Sequence, residues 1–306
     1  MTQETLGWWV HQNLGQAFHK WGKQEAAVSR GDDPESIHQM RVAMRRLRAG
    51  MSAFRAVLDL PRATRKVGMI SRVLGQARDT DVMLAHLEVD YFPALPPAEQ
   101  TMLRQFMDDL RQQRQAMQRE LVALLTSATY GRVKEAWAKW LAAPRWQPLG
   151  DWPVAEALPH LLVIAWAGLA LHLGWRVEDG TGDREQLHDL RKAIKRTRYL
   201  WEFAQEQLPT GLMETLTLLR QAQDILGHLQ DGFVLESRLG STCPRLHQLL
   251  TQQQAQVWQT WQTLREQLAQ GARHDQVYQH LGQQCRSGNP PSPDNETVRP
   301  SAILLG

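Results

Sequence analysis

The sequence is poor in cysteine: its 306 residues include two, Cys243 and Cys285. Two thiols build neither a disulfide framework nor a zinc knuckle, and a reducing cytosol is the default setting for so few. Residues 1–12 lack a basic stretch followed by an apolar one, so a secretory leader is not expected. The most apolar run, residues 161–171 between His160 and His172, is eleven residues long. A bilayer needs about 20, so this run reads as a helix buried on most sides, and no membrane association is expected. Period-two alternation, the mark of half-buried strands, is almost absent. A large excess of one charge is missing too: Lys plus Arg is 35 and Asp plus Glu is 32, a net +3. With 42% apolar and 22% charged residues, the composition is globular rather than disordered. The length suits one or two domains with a large core.

That small net charge conceals a segregated one. Residues 37–72 hold nine bases (Arg41, Arg45, Arg46, Arg48, Arg55, Arg62, Arg65, Lys66 and Arg72) against one acid, Asp59, a local +8. Residues 187–200 hold Arg191, Lys192, Lys195, Arg196 and Arg198 against Asp189, a local +4, which leaves the rest of the chain at −9. A solvated surface mixes its signs. Two basic windows in an otherwise acidic protein point to an anionic ligand.

Helical periodicity and helix punctuation dominate. Asp33-Pro34 reads as an N-cap followed by proline at the first helical position, opening a helix to about Leu58. Further helices are expected from Pro61 to near Gly75, from a cap at Asp79 to about Val89, from Ala98 to about Thr126 and from Tyr130 to Leu141. Residues 144–153, with three prolines and a glycine, read as a connector between a first helical half, 1–143, and a second, 154–286. In the second half helices are expected over 154–175, 183–207, 211–226, 231–239 and 245–270. The glutamine-rich stretch 252–284 keeps Val257, Trp258, Trp261, Leu264 and Leu268 at helical spacing, so it too reads as helix. Residues 287–306, with Pro290, Pro291, Pro293 and Pro300, read as a loose tail.

The two halves share sequence. Residues 37–48 match 187–198 at an offset of 150. His38/His188, Arg41/Arg191, Ala43/Ala193, Arg46/Arg196 and Arg48/Arg198 are identical, and Arg45/Lys195 keeps its charge. A second block, Val73-Leu-Gly-Gln-Ala-Arg-Asp79, matches Ile225-Leu-Gly-His-Leu-Gln-Asp231. Two matched blocks in the same order argue for a duplicated helical half.

On a helical wheel Met40, Ala43, Met44, Leu47, Met51, Phe54 and Leu58 form a core stripe. His38, Arg41, Arg45, Arg48, Ser52 and Arg55 face the other way, with Arg46 on a flank. The copy divides alike: Leu190, Ala193, Ile194, Thr197 and Trp201 inward, His188, Arg191, Lys195 and Arg198 outward. Arg41 and Arg45 are like charges one turn apart, a cost of a few tenths of a kcal/mol. Acids along these helices are scarce: Asp59 can serve Arg55 and Glu202 can serve Arg198, but Arg41, Arg45, Arg46 and Arg191 have none three or four residues away. Such a face is either solvated or neutralised by an external anion, and its repetition favours the anion. Arg41 to Arg55 spans roughly 21 Å of helix, which suits an extended polyanion better than a single phosphate. Arginine suits bidentate phosphate contacts.

Other residues admit several roles. His38 and His188 fit a bond to a backbone carbonyl, or donation to phosphate with nearby cations keeping the imidazole neutral at pH 7. His-x-x-Arg on a helix is also the setting of a phosphoacceptor histidine, but no glycine-rich ATP-binding signature accompanies it. Asp79 and Asp231 fit helix caps or partners that orient an arginine. His188 and Asp189 are helical neighbours pointing about 100° apart, so no metal site is expected. Trp166, Trp201, Trp258 and Trp261 lie on apolar faces and read as core. Neither basic stripe contains an aromatic for base stacking, which argues against single-stranded nucleic acid.

His38-x-x-Arg41-x-x-x-Arg45-Arg46-x-Arg48, its copy at 188–198 and the two Leu-Gly-x-x-(Arg/Gln)-Asp blocks together resemble the CHAD family, the conserved histidine alpha-helical domain, over roughly residues 5–285. The resemblance implies an all-α fold: two pseudo-symmetric four-helix bundles whose basic helices meet at a central positive surface. It implies binding of inorganic polyphosphate with no catalysis by this domain alone; no metal and no cofactor are expected. The family's basic residues carry over to His38, Arg41, Arg45, Arg46, Arg48, His188, Arg191, Lys195, Arg196 and Arg198, with Arg55, Arg65, Lys66 and Arg72 as candidate secondary contacts. Thr197 replaces the expected leucine and Gln230 stands where the first half has Arg78, departures that would weaken the second half. Some relatives carry an N-terminal triphosphate-tunnel hydrolase domain. This chain starts in the helical region and lacks an alternating Glu-x-Glu-x-Lys strand, so that activity is not expected. A cytoplasmic, non-catalytic polyphosphate-binding module is expected, associated with polyphosphate granules. The alternatives are an enzyme that transfers or hydrolyses phosphate with His38 or His188, and a nucleic-acid-binding helical protein.

Overall fold

The structure, a computed structural model, describes residues 4–31, 34–180, 183–239 and 243–287. These residues form ten α-helices: α1 (Leu6–Arg30), α2 (Pro34–Ala53), α3 (Val67–His86), α4 (Pro97–Leu125), α5 (Ala128–Ala142), α6 (Val154–Ala170), α7 (Arg184–Phe203), α8 (Met213–Leu239), α9 (Pro244–Ala269) and α10 (Gly271–Ser287). The fold is all-α, and the described residues hold two isolated bridges, Thr5 with Pro153 and Leu58 with Trp146, in place of a sheet. Among them no helix is long and apolar enough to cross a membrane.

Local chemistry sets the helix ends. Thr5 Oγ1 accepts the Trp8 N–H at 3.4 Å and opens α1. Gly31 closes it at φ 76°, left-handed backbone that a side chain disfavours. α4 and α9 begin on Pro97 and Pro244, where a missing N–H costs nothing. The start of α9 is also capped from a distance. Glu99 of α4, 9% exposed, accepts the N–H groups of Arg245 and Leu246 at 2.9 and 3.0 Å. Pro34 opens α2 as expected; its expected cap, Asp33, lies outside the described residues, as does the tail from residue 288 onward.

Several expected boundaries are corrected. α2 stops at Ala53 rather than near Leu58, and a turn follows. α3 runs unbroken through Gly75 and Asp79, and α8 runs unbroken through Gly227 and Asp231. The glycines therefore end no helix and the aspartates cap none. A glycine inside a helix costs about 1 kcal/mol, and packing of the apolar faces outweighs that. α6 ends at Ala170 and α7 at Phe203, each followed by a short 3₁₀ turn. α1, which buries Trp9, Val10, Leu14 and Trp21, was not among the expected helices.

α1 to α4 pack in sequence, and α6 to α9 do the same, with α10 returning onto α6. The two groups meet where α2 lies on α7 and α1 on α6. At that junction the rings of Trp9, Phe54 and Phe203 stand 5.3–5.8 Å apart. One hydrophobic core runs through both groups, and Trp21, Trp137, Trp166, Trp201 and Trp261 are fully buried in it. Each such side chain contributes roughly 1.5–3 kcal/mol. Trp166, Trp201 and Trp261 are thus core residues as expected, and half-buried Trp258 lies against Gly180. A second cluster, including Leu87, Leu103, Met107, Leu235 and Leu246, ties α4 to α8 and α9. Residues 144–153 are fitted closely. Gln147 N–H donates to Val57 O at 2.7 Å, Leu6 N–H donates to Trp152 O at 2.8 Å, and the Trp146 ring fills the space beside Gly7 and Gly150. Cys243 is buried and Cys285 is half-buried.

Candidate anion-binding surface

Burial of Met40, Met44 and Leu47 turns the opposite face of α2 outward, and burial of Leu190, Ile194 and Trp201 does the same for α7. The two helices pack side by side because Gly50 leaves room. A Cβ there would stand 2.6 Å from the Phe203 ring and 2.8 Å from Leu14. The register follows from ring contacts. The Arg45 guanidinium lies 5.0 Å from the Tyr199 centroid and that of Arg46 lies 5.5 Å from the Phe203 centroid. Arg45 meets Tyr199 and, five residues on, Gly50 meets Phe203, so both helices climb in the same sense along the contact, and their basic stripes open on one region.

Tyr199 sits at its centre. Arg198 and Lys195 of its own helix lie 4.6 and 5.8 Å from its centroid, and Arg45 reaches it from α2. An aromatic face attracts each cation by about 0.5–1 kcal/mol where solvent reaches, so one ring eases the gathering of three. Lys195 reports the crowding: loss of solvent pushes its pKa below the ordinary lysine value, Tyr199 opposes this, and Arg191, Arg41 and Arg45 push it further down. The structure thus brings Arg41 and Arg45 of α2 together with Arg191 and Lys195 of α7.

The two matched Leu-Gly blocks supply acids to this region. Asp79 of α3 pairs with Arg41 at 3.1 Å. Arg41 therefore has an acidic partner, contrary to a count of acids along its own helix. Arg191 lies against α8 beside Gly227, where a Cβ would be 3.1 Å from its guanidinium. Asp231, one turn on, has its pKa raised chiefly by burial and lowered by Arg191, with Asp79 raising it further. Each aspartate thus faces the first arginine of a stripe. The glycines differ, since Gly75 faces open space.

The remaining expected contacts divide. His38 is half-buried and Arg48 is exposed, donating to Ser71 Oγ at 3.2 Å. Lys195 and Arg196 are exposed, as are Arg55, Arg65, Lys66 and Arg72. Arg46 turns inward and donates to Asn13 Oδ1 at 2.8 Å. Arg198, expected outward, is 7% exposed and lies 3.6 Å from Glu202, which also pairs with Arg220 of α8 at 2.8 Å. Asp59 pairs with Arg145 at 3.9 Å rather than with Arg55. His188 has a lowered pKa, first from burial and then from Lys192 and Arg191, with Asp189 opposing. Its Nδ1 is buried with no hydrogen-bond partner among the described residues, so that atom makes no bond to a backbone carbonyl. Sequence reasoning missed Tyr199, one residue beyond the stripe and one turn from Lys195.

Comparison with known proteins places this geometry in context. A model of the CHAD domain matches residues 12–240. Among solved structures, the CHAD domain from the plant Ricinus communis is similar over 92% of each chain, with 28% identity and a TM-score of 0.63. PptA from Streptomyces chartreusis shares the fold over 90% of this chain and 99% of its own, with 16% identity and a TM-score of 0.56. No curated protein matches the sequence.

Proposed function

The chain belongs to the CHAD domain family, and from that footing we propose that it binds inorganic polyphosphate between α2 and α7 without turning it over. The observation that carries this reading is the meeting of Arg45 of α2 and Lys195 of α7 at the Tyr199 ring, with Arg41 and Arg191 near enough for their charges to act on Lys195. A chain of phosphates presents a negative charge at every step, so it can engage cations spread along both stripes, about 10 Å of helix from Arg41 to Arg48 on α2 and as much from Arg191 to Arg198 on α7. A single phosphate can engage only a few. The cost of holding like charges together is then offset when the ligand arrives.

Binding without turnover fits the histidine. The buried Nδ1 of His188 has no partner among the described residues, and the adjacent Asp189 pairs with Lys192 at 2.9 Å instead. A nucleophile or general base is normally oriented by such a partner. Tyr199 raises the case for nucleic acid, because it sets an aromatic beside the stripe. Its ring, however, is half-buried and carries cations from both helices, whereas a stacking platform needs an open face. Polyphosphate in the cytoplasm, free or in granules, remains the better ligand.

The test is a titration of long-chain polyphosphate against wild type and an Arg45→Glu, Lys195→Glu double variant, with RNA as competitor. Binding that is lost in the variant while helicity and melting persist, and that RNA does not match, supports the reading. Equal affinity for RNA, or steady release of orthophosphate from polyphosphate, overturns it.

A further inference from the structure

We propose that Lys195 is an acylation site for acyl phosphates, and that its acylation turns the anion surface off. The inference rests on the α2–α7 surface as an anion site but not on polyphosphate as the anion. Lys195 is exposed, so a small electrophile can reach its amine. Around it stand Arg41, Arg45 and Arg191, with Tyr199 beside it. Guanidinium groups grip a phosphate in bidentate fashion, so an acyl phosphate drawn to them presents its carbonyl to the one primary amine in their midst.

The surroundings also raise the share of the amine in reactive form above that of an ordinary lysine. Lost solvent and neighbouring cations favour the neutral state of Lys195, and the neutral amine is the nucleophile. Lys192 and Lys139 lack this combination: Lys192 pairs with Asp189 at 2.9 Å and Lys139 pairs with Glu135 at 2.7 Å, and a carboxylate partner favours the ammonium form.

The step balances. The amine, having given one proton to water, attacks the carbonyl carbon. The carbon–oxygen bond to phosphate breaks, and phosphate leaves with the electron pair. The nitrogen sheds its second proton to the departing phosphate or to buffer. The products are an amide and inorganic phosphate. Cation–phosphate contacts assist the departure of the leaving group. The amide carries no charge, so the surface loses one of its four central cations and gains a bulkier group beside Tyr199.

The experiment treats the full chain with acetyl phosphate and, in parallel, with acetic anhydride, and follows each lysine by peptide mass spectrometry. Lys195 is expected to react with acetyl phosphate severalfold faster than Lys192 and Lys139. Its acetyl phosphate-to-anhydride rate ratio should exceed theirs, and Arg41→Gln should lower that ratio. Equal ratios at all three lysines would overturn the proposal, because the phosphate would then not be steered. Lys195→Gln should bind polyphosphate several times more weakly than Lys195→Arg, which keeps the charge, and equal binding by both would remove the switch. Selective acetylation that long-chain polyphosphate fails to block would leave this inference standing and sink the polyphosphate reading instead.

Discussion

Arg41 and Arg46 lie five residues apart on α2 and carry the same charge, yet their removal should be read by different instruments. Arg41 reaches the shared surface, where its field acts on Lys195. Arg46 is turned into the fold, donating to buried Asn13 and covering the Phe203 ring. If binding neutralises cations and releases counterions, the logarithm of the binding constant falls linearly with the logarithm of salt, and each lost phosphate contact makes the slope shallower by about 0.7–0.9. Across a tenfold salt range wild type should then lose about five- to eightfold more affinity than Arg41→Ala. Arg46→Ala should keep the wild-type slope. It leaves Asn13 Oδ1 without its donor, a cost of about 1–3 kcal/mol, which is read as a fall in melting temperature of about 2–4 °C per kcal/mol. Polyphosphate titrations at three salt concentrations, with a melt of each variant, check both limbs. If Arg46→Ala flattened the slope as Arg41→Ala does and melted like wild type, the division of the stripe into ligand-facing and fold-facing arginines would be wrong.

The all-α class was legible because helical periodicity needs only one helix at a time. Met40, Met44, Leu47, Leu190, Ile194 and Trp201 face inward on the wheel alone and are buried. The errors cluster where local punctuation and tertiary packing disagree. Leu-Gly followed by an aspartate one turn later reads as the end of one helix and the cap of the next. Leu74 and Ala77, and Leu226 and Leu229 in the other block, are buried, and that apolar contact carries the helix through a glycine. Of the two roles the sequence leaves open to the aspartates, capping is excluded and Asp79 pairs with Arg41 on a neighbouring helix; spacing along one helix does not say which arginine it meets.

The site was half legible for the same reason. A wheel places a residue relative to its own axis and knows nothing of the next helix. Arg198 points away from the α7 core stripe, but α8 lies over it and brings Arg220 to the Glu202 that Arg198 also approaches. Asp79 lies 38 residues from Arg41 and still meets it. Tyr199 could have been found: it is one turn after Lys195 in a helix whose other residues at that spacing were already assigned to the stripe.

Three further outcomes follow from the same contacts. Gly50→Ala should push α7 away from α2, because its Cβ would meet Phe203 at 2.6 Å; an overpacked core typically loses about 1–3 kcal/mol, and calorimetry that shows no loss would mean the helices yield freely there. Glu99→Gln should weaken the distant cap of α9, whose two backbone N–H groups now donate to a carboxylate, at about 1–2 kcal/mol; faster amide exchange at Arg245 and Leu246 would confirm it, and unchanged exchange would contradict it. The third concerns pH. Burial, Lys192 and Arg191 hold His188 below its ordinary 6.5, with Asp189 opposing. A polyanion beside it favours the imidazolium, so binding takes up a proton and affinity should climb as pH falls below about 6.5. Lys195 is lowered from 10.5, so at alkaline pH it sheds its charge before an ordinary lysine, and affinity should decline there. Folding runs the other way at the acid end. The unfolded chain holds the histidine proton more tightly, so this contribution to stability is complete above about 6.5 and is lost as pH falls through the lower folded value. Acid should therefore tighten the complex while loosening the free protein. His188→Gln should remove both effects, and an acid limb that survives in that variant would assign them to another group.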